Sequence, residues 1–479
     1  MMTKCSINNS LVILIFSLVL SLSSQELIAK RSYQLASTKP QTVFLRVKFS
    51  TNSDWSILKW ESLPTIKTMR LYAFSPDDGS INLFHDQIKI TQALDSAYKK
   101  RTINVIVDYL LEINSTEQLK FEITKGSLNS SSASFYILKR NNFVQISEVK
   151  NDVKDDNKAG KNSKKFSFEI KYESLNFFSS QIKRIEKIPK LALAFYYLWY
   201  NKSNWEIFPL KDEPLEFYSS EDEKVIENQI RQARMVGLDG FITSWDGPYS
   251  YSDFNFKKLL KICKKNNFKT AIYLETLTSK GPRNEDELFT FLKYLFENYS
   301  NDPSIIKIFN KPLIFIWASN EISIQTWKNI FKRLEKIGIQ FTTIGMTYDL
   351  AYLSVFDGLH QYGTILFDDL GRELQINSKI LKNYHLISNE QKIWTATIQP
   401  GYDERTIPKR PGFFKERNKG KYYEYTFNES MKSKPDFLLI TSWNEWWENT
   451  HIEPSKKFGT YYLDLTKKFI TKWKLASTK

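Results

Sequence analysis

The chain has 479 residues, 42% of them hydrophobic and 15% aromatic, including 34 Phe, 25 Tyr and 12 Trp. That apolar content excludes a disordered chain, and 16 Gly with no sustained heptad run exclude collagen and coiled coil. The formal charge of +15 comes from Lys scattered along the whole length, without a clustered basic face or a known module, so no nucleic-acid partner is expected.

At the start, Lys4 precedes an apolar run, Leu11–Leu22, followed by Ser23 and Ser24. A charged start, a short apolar centre and small residues predict a signal peptide over 1–24. The alternative is a retained signal anchor, although the run is short for a bilayer span. Either way the rest of the chain is expected to be secreted or luminal, with a membrane partner only if the segment is kept. Cys5 and Cys263 are the two cysteines, so the mature chain has no internal disulfide and no CxxC site. Asn114, Asn129, Asn201, Asn298 and Asn428 each open an N-x-S/T triplet.

Residues 40–148 hold short strand-like runs such as Thr42–Phe49, Thr68–Phe74, Ile103–Leu110 and Phe135–Leu138, separated by polar turn clusters. This pattern predicts a small all-β, sandwich-like domain. Trp55, Trp60 and Tyr72 are its candidate sugar contacts, with core packing as the competing role for each. Residues 149–166 are charged and nearly free of large apolar side chains, and read as a linker.

From about residue 190 to 479 the texture changes. Eight apolar runs begin near Leu191, Asp239, Lys269, Lys311, Gln340, Phe356, Lys392 and Pro435. Most are followed by an amphipathic helical stretch; the fifth has only Leu350–Leu353 before the next run. The expected fold is α/β, a (β/α)8 TIM barrel preceded by the all-β domain. An open doubly wound sheet is the alternative, and no GxGxxG supports a dinucleotide-binding version of it.

In such barrels the strand C-terminal ends carry the site. Here they read Tyr197-Leu198-Trp199-Tyr200, Ser244-Trp245-Asp246, Tyr273-Leu274-Glu275, Phe315-Ile316-Trp317, His360-Gln361-Tyr362, Pro400-Gly401-Tyr402-Asp403 and Trp443-Asn444-Glu445-Trp446-Trp447-Glu448. Aromatic faces stack on sugar rings and carboxylates or amides bind hydroxyls, so recurrence at strand ends points to a glycan. Glu445 and Glu448, three residues apart after the last strand, are the candidate acid pair for glycosidic cleavage. The surrounding tryptophans would raise one pKa by desolvation. The competing role for the two acids is the N-terminus of a helix. A metal hydrolase built on His360 and His451 lacks HxH or HExxH spacing, and no GxSxG elbow supports a serine hydrolase.

The run Ser442–Pro454 (SWNEWWENTHIEP) resembles the signature of glycoside hydrolase family 99, the endo-α-mannosidases and endo-α-mannanases, and of related polysaccharide-biosynthesis proteins. Phe195–Tyr200, Gly237–Gly240 with Ser244-Trp245, Glu275, Phe356–Tyr362 and Gln399–Asp403 with Arg405 resemble its earlier segments in order. The resemblance covers about 190–475. It implies a barrel that cleaves α-mannosidic bonds inside a glycan with retention, through a 1,2-anhydro sugar, with no cofactor or metal. Carried over, Glu445 is the base towards the substrate 2-hydroxyl and Glu448 the acid/base. Together with the strand-end reading, Tyr197, Trp199, Trp245, Glu275, Tyr362, Tyr402, Arg405, Asn444 and Trp446 are the candidate substrate-binding residues. Two positions depart from the family: Trp447 stands where His is usual, and Asn449 where Gly is usual. A non-catalytic glycan-binding protein on the same scaffold is the rival reading. Retention of both glutamates favours the enzyme. The expected partner is an oligosaccharide or polysaccharide, and the expected state a monomer.

Overall fold

The computed structural model describes most of residues 41–170 and nearly all of 186–476. Residues 1–40, 93–102, 153–161 and 171–185, with several shorter stretches, lie outside the described residues, and the signal expected over 1–24 falls there. The chain divides into two compact units.

The first unit has ten strands: β1 Gln41–Thr51, β2 Trp55–Ser62, β3 Thr65–Phe74, β4 Gly79–Leu83, β5 Gln87–Gln92, β6 Ile103–Ile113, β7 Glu117–Lys125, β8 Ser131–Lys139, β9 Asn142–Asn151 and β10 Asn162–Ile170. They form two five-stranded sheets, ordered β3-β6-β1-β8-β9 and β10-β7-β2-β5-β4. Alternate residues bury a common core: Val43, Leu45, Val47 and Phe49 from one sheet meet Leu58, Trp60, Phe121 and Ile123 from the other. Period-two burial is what a two-sheet sandwich requires. The expected all-β domain is therefore present. Trp60 belongs to this core. Its indole Nε1 donates to the Tyr109 hydroxyl at 3.2 Å, and its ring packs edge-on against Tyr109 and Phe121. Trp55 is half-buried on β2, and the Tyr72 side chain lies outside the described residues.

One boundary differs from expectation. The stretch 149–166 was expected as linker, yet its first residues finish β9 and its last ones open β10. β10 pairs antiparallel with β7, Asn162 opposite Lys125 through Ile170 opposite Glu117. The reason is position: β10 is a sheet edge, where lysines are tolerated on the open face while Phe166 and Phe168 pack against the core. Composition alone reads such a strand as unstructured.

The second unit contains eight parallel strands: β11 Leu191–Tyr196, β12 Gly240–Trp245, β13 Lys269–Leu274, β14 Lys311–Ile316, β15 Thr342–Met346, β16 Gly358–His360, β17 Ile393–Ile398 and β18 Phe437–Ile440. Each pairs with the next, and β18 returns to β11 with Leu191 opposite Phe437. The ring is closed, so the open-sheet alternative falls. Leu193, Phe195, Ile242, Tyr273, Phe315, Ile344 and Leu439 fill its interior. His360 packs there among Phe195, Tyr273 and Phe315, and burial pushes its pKa to about 3. It is a neutral core side chain.

Among the described residues seven long helices surround the barrel, α1 Glu223–Met235, α2 Tyr251–Lys265, α3 Glu285–Tyr299, α4 Ile324–Lys336, α5 Leu370–Asn383, α6 Lys421–Ser433 and α7 Tyr461–Ala476, with one further helical turn at His385–Ser388. Asp222, Ser250, Asn284, Ser323 and Asp369 cap the first five, each side-chain oxygen accepting from a first-turn N–H. Between β15 and β16 there is only a 3-10 turn, Leu350–Ser354, as the thin apolar spacing there suggested. No helix of the described residues is long and apolar enough to cross a membrane.

Candidate active site

The two acids lie on the segment that leaves β18. This segment is a set of tight turns. The Ser442 hydroxyl accepts the Glu445 N–H at 2.7 Å, Asn449 N–H donates to the Trp446 carbonyl at 3.1 Å, and Thr450 N–H donates to the Glu445 carbonyl at 3.2 Å. α7 begins only at Tyr461, so the helix-terminus role for the pair falls. Trp443 is fully buried against Phe241 and anchors the turn from beneath. Asn444 is also fully buried: it accepts the Tyr197 N–H at 2.8 Å and donates to the Tyr197 carbonyl at 2.9 Å. This two-way bond ties the end of β11 to the end of β18.

Glu445 and Glu448 are both buried. Burial raises the pKa of each, and the charge of Glu448 raises that of Glu445 further. Burial and mutual repulsion thus both favour a proton on the pair. Arg410 opposes this for Glu448: its guanidinium bonds Oε1 of Glu448 and also reaches Glu404 Oε2 at 3.2 Å. Oε2 of Glu448 has no hydrogen-bond partner among the described residues. One oxygen is therefore held and the other is open.

Around the pair, the Tyr197 and Tyr362 hydroxyls are 2.8 Å apart. Burial and the neighbouring charges keep both protonated, as hydrogen-bond donors. Tyr197 stacks on Trp199 at 4.4 Å, and Trp199 on Trp447 at 5.7 Å. Trp199 and Trp447 are half-buried, and the Trp447 indole N–H has no partner among the described residues. These three rings form an aromatic row beside the acids. Glu275 takes a hydrogen bond from the Ser244 hydroxyl at 2.7 Å. Burial, with the charges of Asp246 and Glu448, pushes its pKa to about 8. Tyr402 donates to Glu404 at 2.7 Å, and the adjacent Asp403 N–H donates to the Glu448 carbonyl at 2.8 Å.

Other expected contacts are placed differently. Trp245 is fully buried, donating to Asp253 at 2.9 Å and packed on Phe291 and Tyr294. Trp446 is fully buried and stacked on His451 at 3.9 Å, with its Nε1 3.3 Å from Glu453. Neither ring has a face open to a ligand, and Asn444 is a strap rather than a lining group. Arg405 forms two bonds to Asp403, at 2.8 and 2.7 Å, and covers Phe414 at 3.9 Å. The arginine that meets the acid pair is Arg410. Sequence reading missed it because it sits in a polar loop outside any motif and far from Glu448 in the chain. Trp447 was read as one of the tryptophans that desolvate the acids and as a departure from the family, but not as part of the aromatic row. His451, read earlier as a metal candidate, lies 3.1 Å from Asp212, and burial lowers its pKa to about 3. It too is neutral structure.

The family model of glycosyl hydrolase family 99 matches residues 212–478. A rat protein named glycoprotein endo-alpha-1,2-mannosidase is 25% identical over 341 residues, covering 58% of this chain and 72% of that one. A human glycoprotein endo-alpha-1,2-mannosidase-like protein is 25% identical over 273 residues, covering 52% of this chain and 58% of that one. A solved endo-alpha-mannosidase from Bacteroides thetaiotaomicron superposes with a TM-score of 0.53 at 21% identity, over 61% of this chain and 100% of its own, which speaks for the fold. These matches reach little over half of this chain. The chain belongs to glycosyl hydrolase family 99 and is a glycosidase.

Proposed function

We propose that the protein is an endo-acting, retaining glycosidase that cleaves α-mannosidic bonds within a glycan, with Glu445 and Glu448 as its working pair. The observation that carries this reading is the buried, mutually repelling pair at the barrel mouth, beside an aromatic row that suits a sugar face. The mannosidase names of the relatives supply the sugar.

Glu445 takes the proton of the substrate 2-hydroxyl. That oxygen attacks the anomeric carbon as the glycosidic bond breaks, and Glu448 protonates the leaving oxygen. The product on the enzyme is a 1,2-anhydro sugar. Glu448 then deprotonates a water that opens the ring at the anomeric carbon, while Glu445 returns its proton to the 2-oxygen. Two inversions give net retention. The scheme needs a proton on Glu448 at the first step. Arg410 favours the charged form of Glu448, so it sets how readily Glu448 takes that proton.

The test is a panel of α-mannosides and mannose-containing glycans with product sizing, run on the wild type and on Glu448→Gln. Internal cleavage with α-anomeric first product is expected, and a loss of about 10²–10⁴-fold in the variant. Binding without cleavage across the panel, or unchanged turnover in the variant, overturns the assignment.

A further inference from the structure

Beside the turn that carries the acid pair lies a cavity of about 750 Å³, walled by the loops 403–419 and 457–462 and by Asn449. Lys211, Arg405, Lys415, Arg417, Lys419 and Lys457 line it, against the two carboxylates of Asp403 and Glu416. Asp403 is already neutralised by its two bonds to Arg405. The cavity is therefore strongly basic.

Its defining residue is Arg417, which is 5% exposed. One guanidinium nitrogen, Nη2, donates to the backbone carbonyls of Asn449 at 2.9 Å and His451 at 2.8 Å. Nε and Nη1 have no hydrogen-bond partner among the described residues. No carboxylate among the described residues pairs with it. Asp212, an acid whose charge acts on it, spends its oxygens on His451 and on the N–H groups of Glu213 and Lys457. What covers Arg417 is aromatic: the rings of Tyr462 and Phe458, at 4.4 and 4.9 Å. A guanidinium so buried, with two donor nitrogens unused, lacks a counter-ion that its surroundings are shaped to accept. The backbone adds to this. Arg417 is right-handed helical and Asn418 and Lys419 follow at φ 45° and 49°, the alternation that forms an anion-binding nest.

We propose that this cavity is an oxyanion site, built for a phosphate-class group that bonds Arg417 on the cavity wall and is surrounded by Lys211, Lys415, Lys419 and Lys457. The group is either free orthophosphate or a phosphate ester carried on a sugar; the donor chemistry is the same. The site does not depend on the mannoside reading. It shares a wall with the catalytic turn through Asn449, the residue after Glu448.

The test is calorimetric titration of the full chain at low salt and pH 7, first with sodium phosphate, then with a hexose monophosphate. Saturable 1:1 binding with Kd on the order of 1 mM or tighter is expected. The Lys211→Ala/Lys457→Ala double variant, which alters only exposed side chains, is expected to weaken it about tenfold. Arg417→Met is expected to abolish it, and the lysine double variant keeps the test valid if Arg417→Met fails to fold. A hexose phosphate that binds tenfold tighter than orthophosphate supports the site and assigns the anion to a substituted sugar; equal affinities support it and assign the free ion. Absence of saturable heat with both probes, or binding undiminished in the double variant, overturns the proposal.

Discussion

At the level of single residues, Arg410 makes the most specific claim. It holds one oxygen of Glu448 and biases that carboxyl towards its charged form. An acid catalyst must be protonated, so the alkaline limb of kcat/KM reports its pKa in the free enzyme. Removing the guanidinium raises that pKa. Arg410→Ala is therefore expected to move the alkaline limb to higher pH, measured with a cleavable glycan across the pH range. A limb that stays put or moves down shows that Arg410 does not tune the acid. Glu453 offers a stability counterpart. It is buried among Gln229, Tyr218 and Trp446, and burial outweighs those hydrogen bonds, raising its pKa to about 7. A carboxyl with a raised folded pKa binds its proton more tightly in the folded state. Its contribution is full below the unfolded value and is lost as pH rises through about 7. Wild-type stability should thus fall between about pH 4.5 and 7, by up to roughly 3 kcal/mol from this group. Glu453→Gln should flatten that window, as read by urea midpoints at several pH values; equal slopes in both proteins contradict it.

Among the elements, the turn after β18 decides how the pair is presented. Asn449 sits there at φ 52°, in the left-handed region. The family resemblance implies Gly at this position, and Asn is the side chain that best replaces Gly in that conformation. The substitution thus preserves the backbone that ends the turn. Asn449→Gly should leave thermal stability nearly unchanged. Asn449→Val should cost about 1–3 kcal/mol, because a β-branched residue is strained there. Differential scanning calorimetry of the two variants checks the contrast, and equal melting temperatures would show that the backbone relaxes freely. The preceding loop is equally constrained: a Cβ on Gly401 would meet the Arg417 Cγ at 2.5 Å and the Lys415 carbonyl at 3.0 Å. This close approach explains why glycine stands in the Pro-Gly-Tyr-Asp loop beside the basic cavity.

For the molecule as a whole, the two units have separate cores, one of two packed sheets and one inside the barrel. A fragment from Glu186 to the C-terminus contains every barrel strand and every residue assigned to the acid pair and aromatic row. It is expected to fold alone with a cooperative thermal transition and to cleave the same glycan as the full chain. An insoluble fragment from a stable full chain would make the β-sheet unit part of the barrel's support. The barrel itself was legible in the chain, because each strand interior is a short apolar run, most end in an aromatic or acidic cluster, and most are followed by a helix with its own local periodicity, five of them capped by a side chain. The proximity of Glu445 and Glu448 was legible too, since they lie three residues apart on one strand end. β10 was not, since an edge strand needs only Phe166 and Phe168 to pack and lets lysine fill the rest. Nor was the split among the tryptophans. Trp199 and Trp447 keep part of their surface open, while Trp245 and Trp446 are enclosed, and the same residue type in neighbouring positions does not record which. Sequence alone determined what local patterning and short spacing can encode: the repeated strand–helix units, the all-β region before them, and the placing of Glu445 and Glu448 together on one strand end. Only the closed barrel decided which arginine reaches Glu448 and which guanidinium is buried with no carboxylate partner among the described residues. Arg410 and Arg417 gain their roles from residues 38 and 32 positions away, brought near by the loops of adjoining strands, and such proximity is fixed by packing rather than by any pattern along the chain.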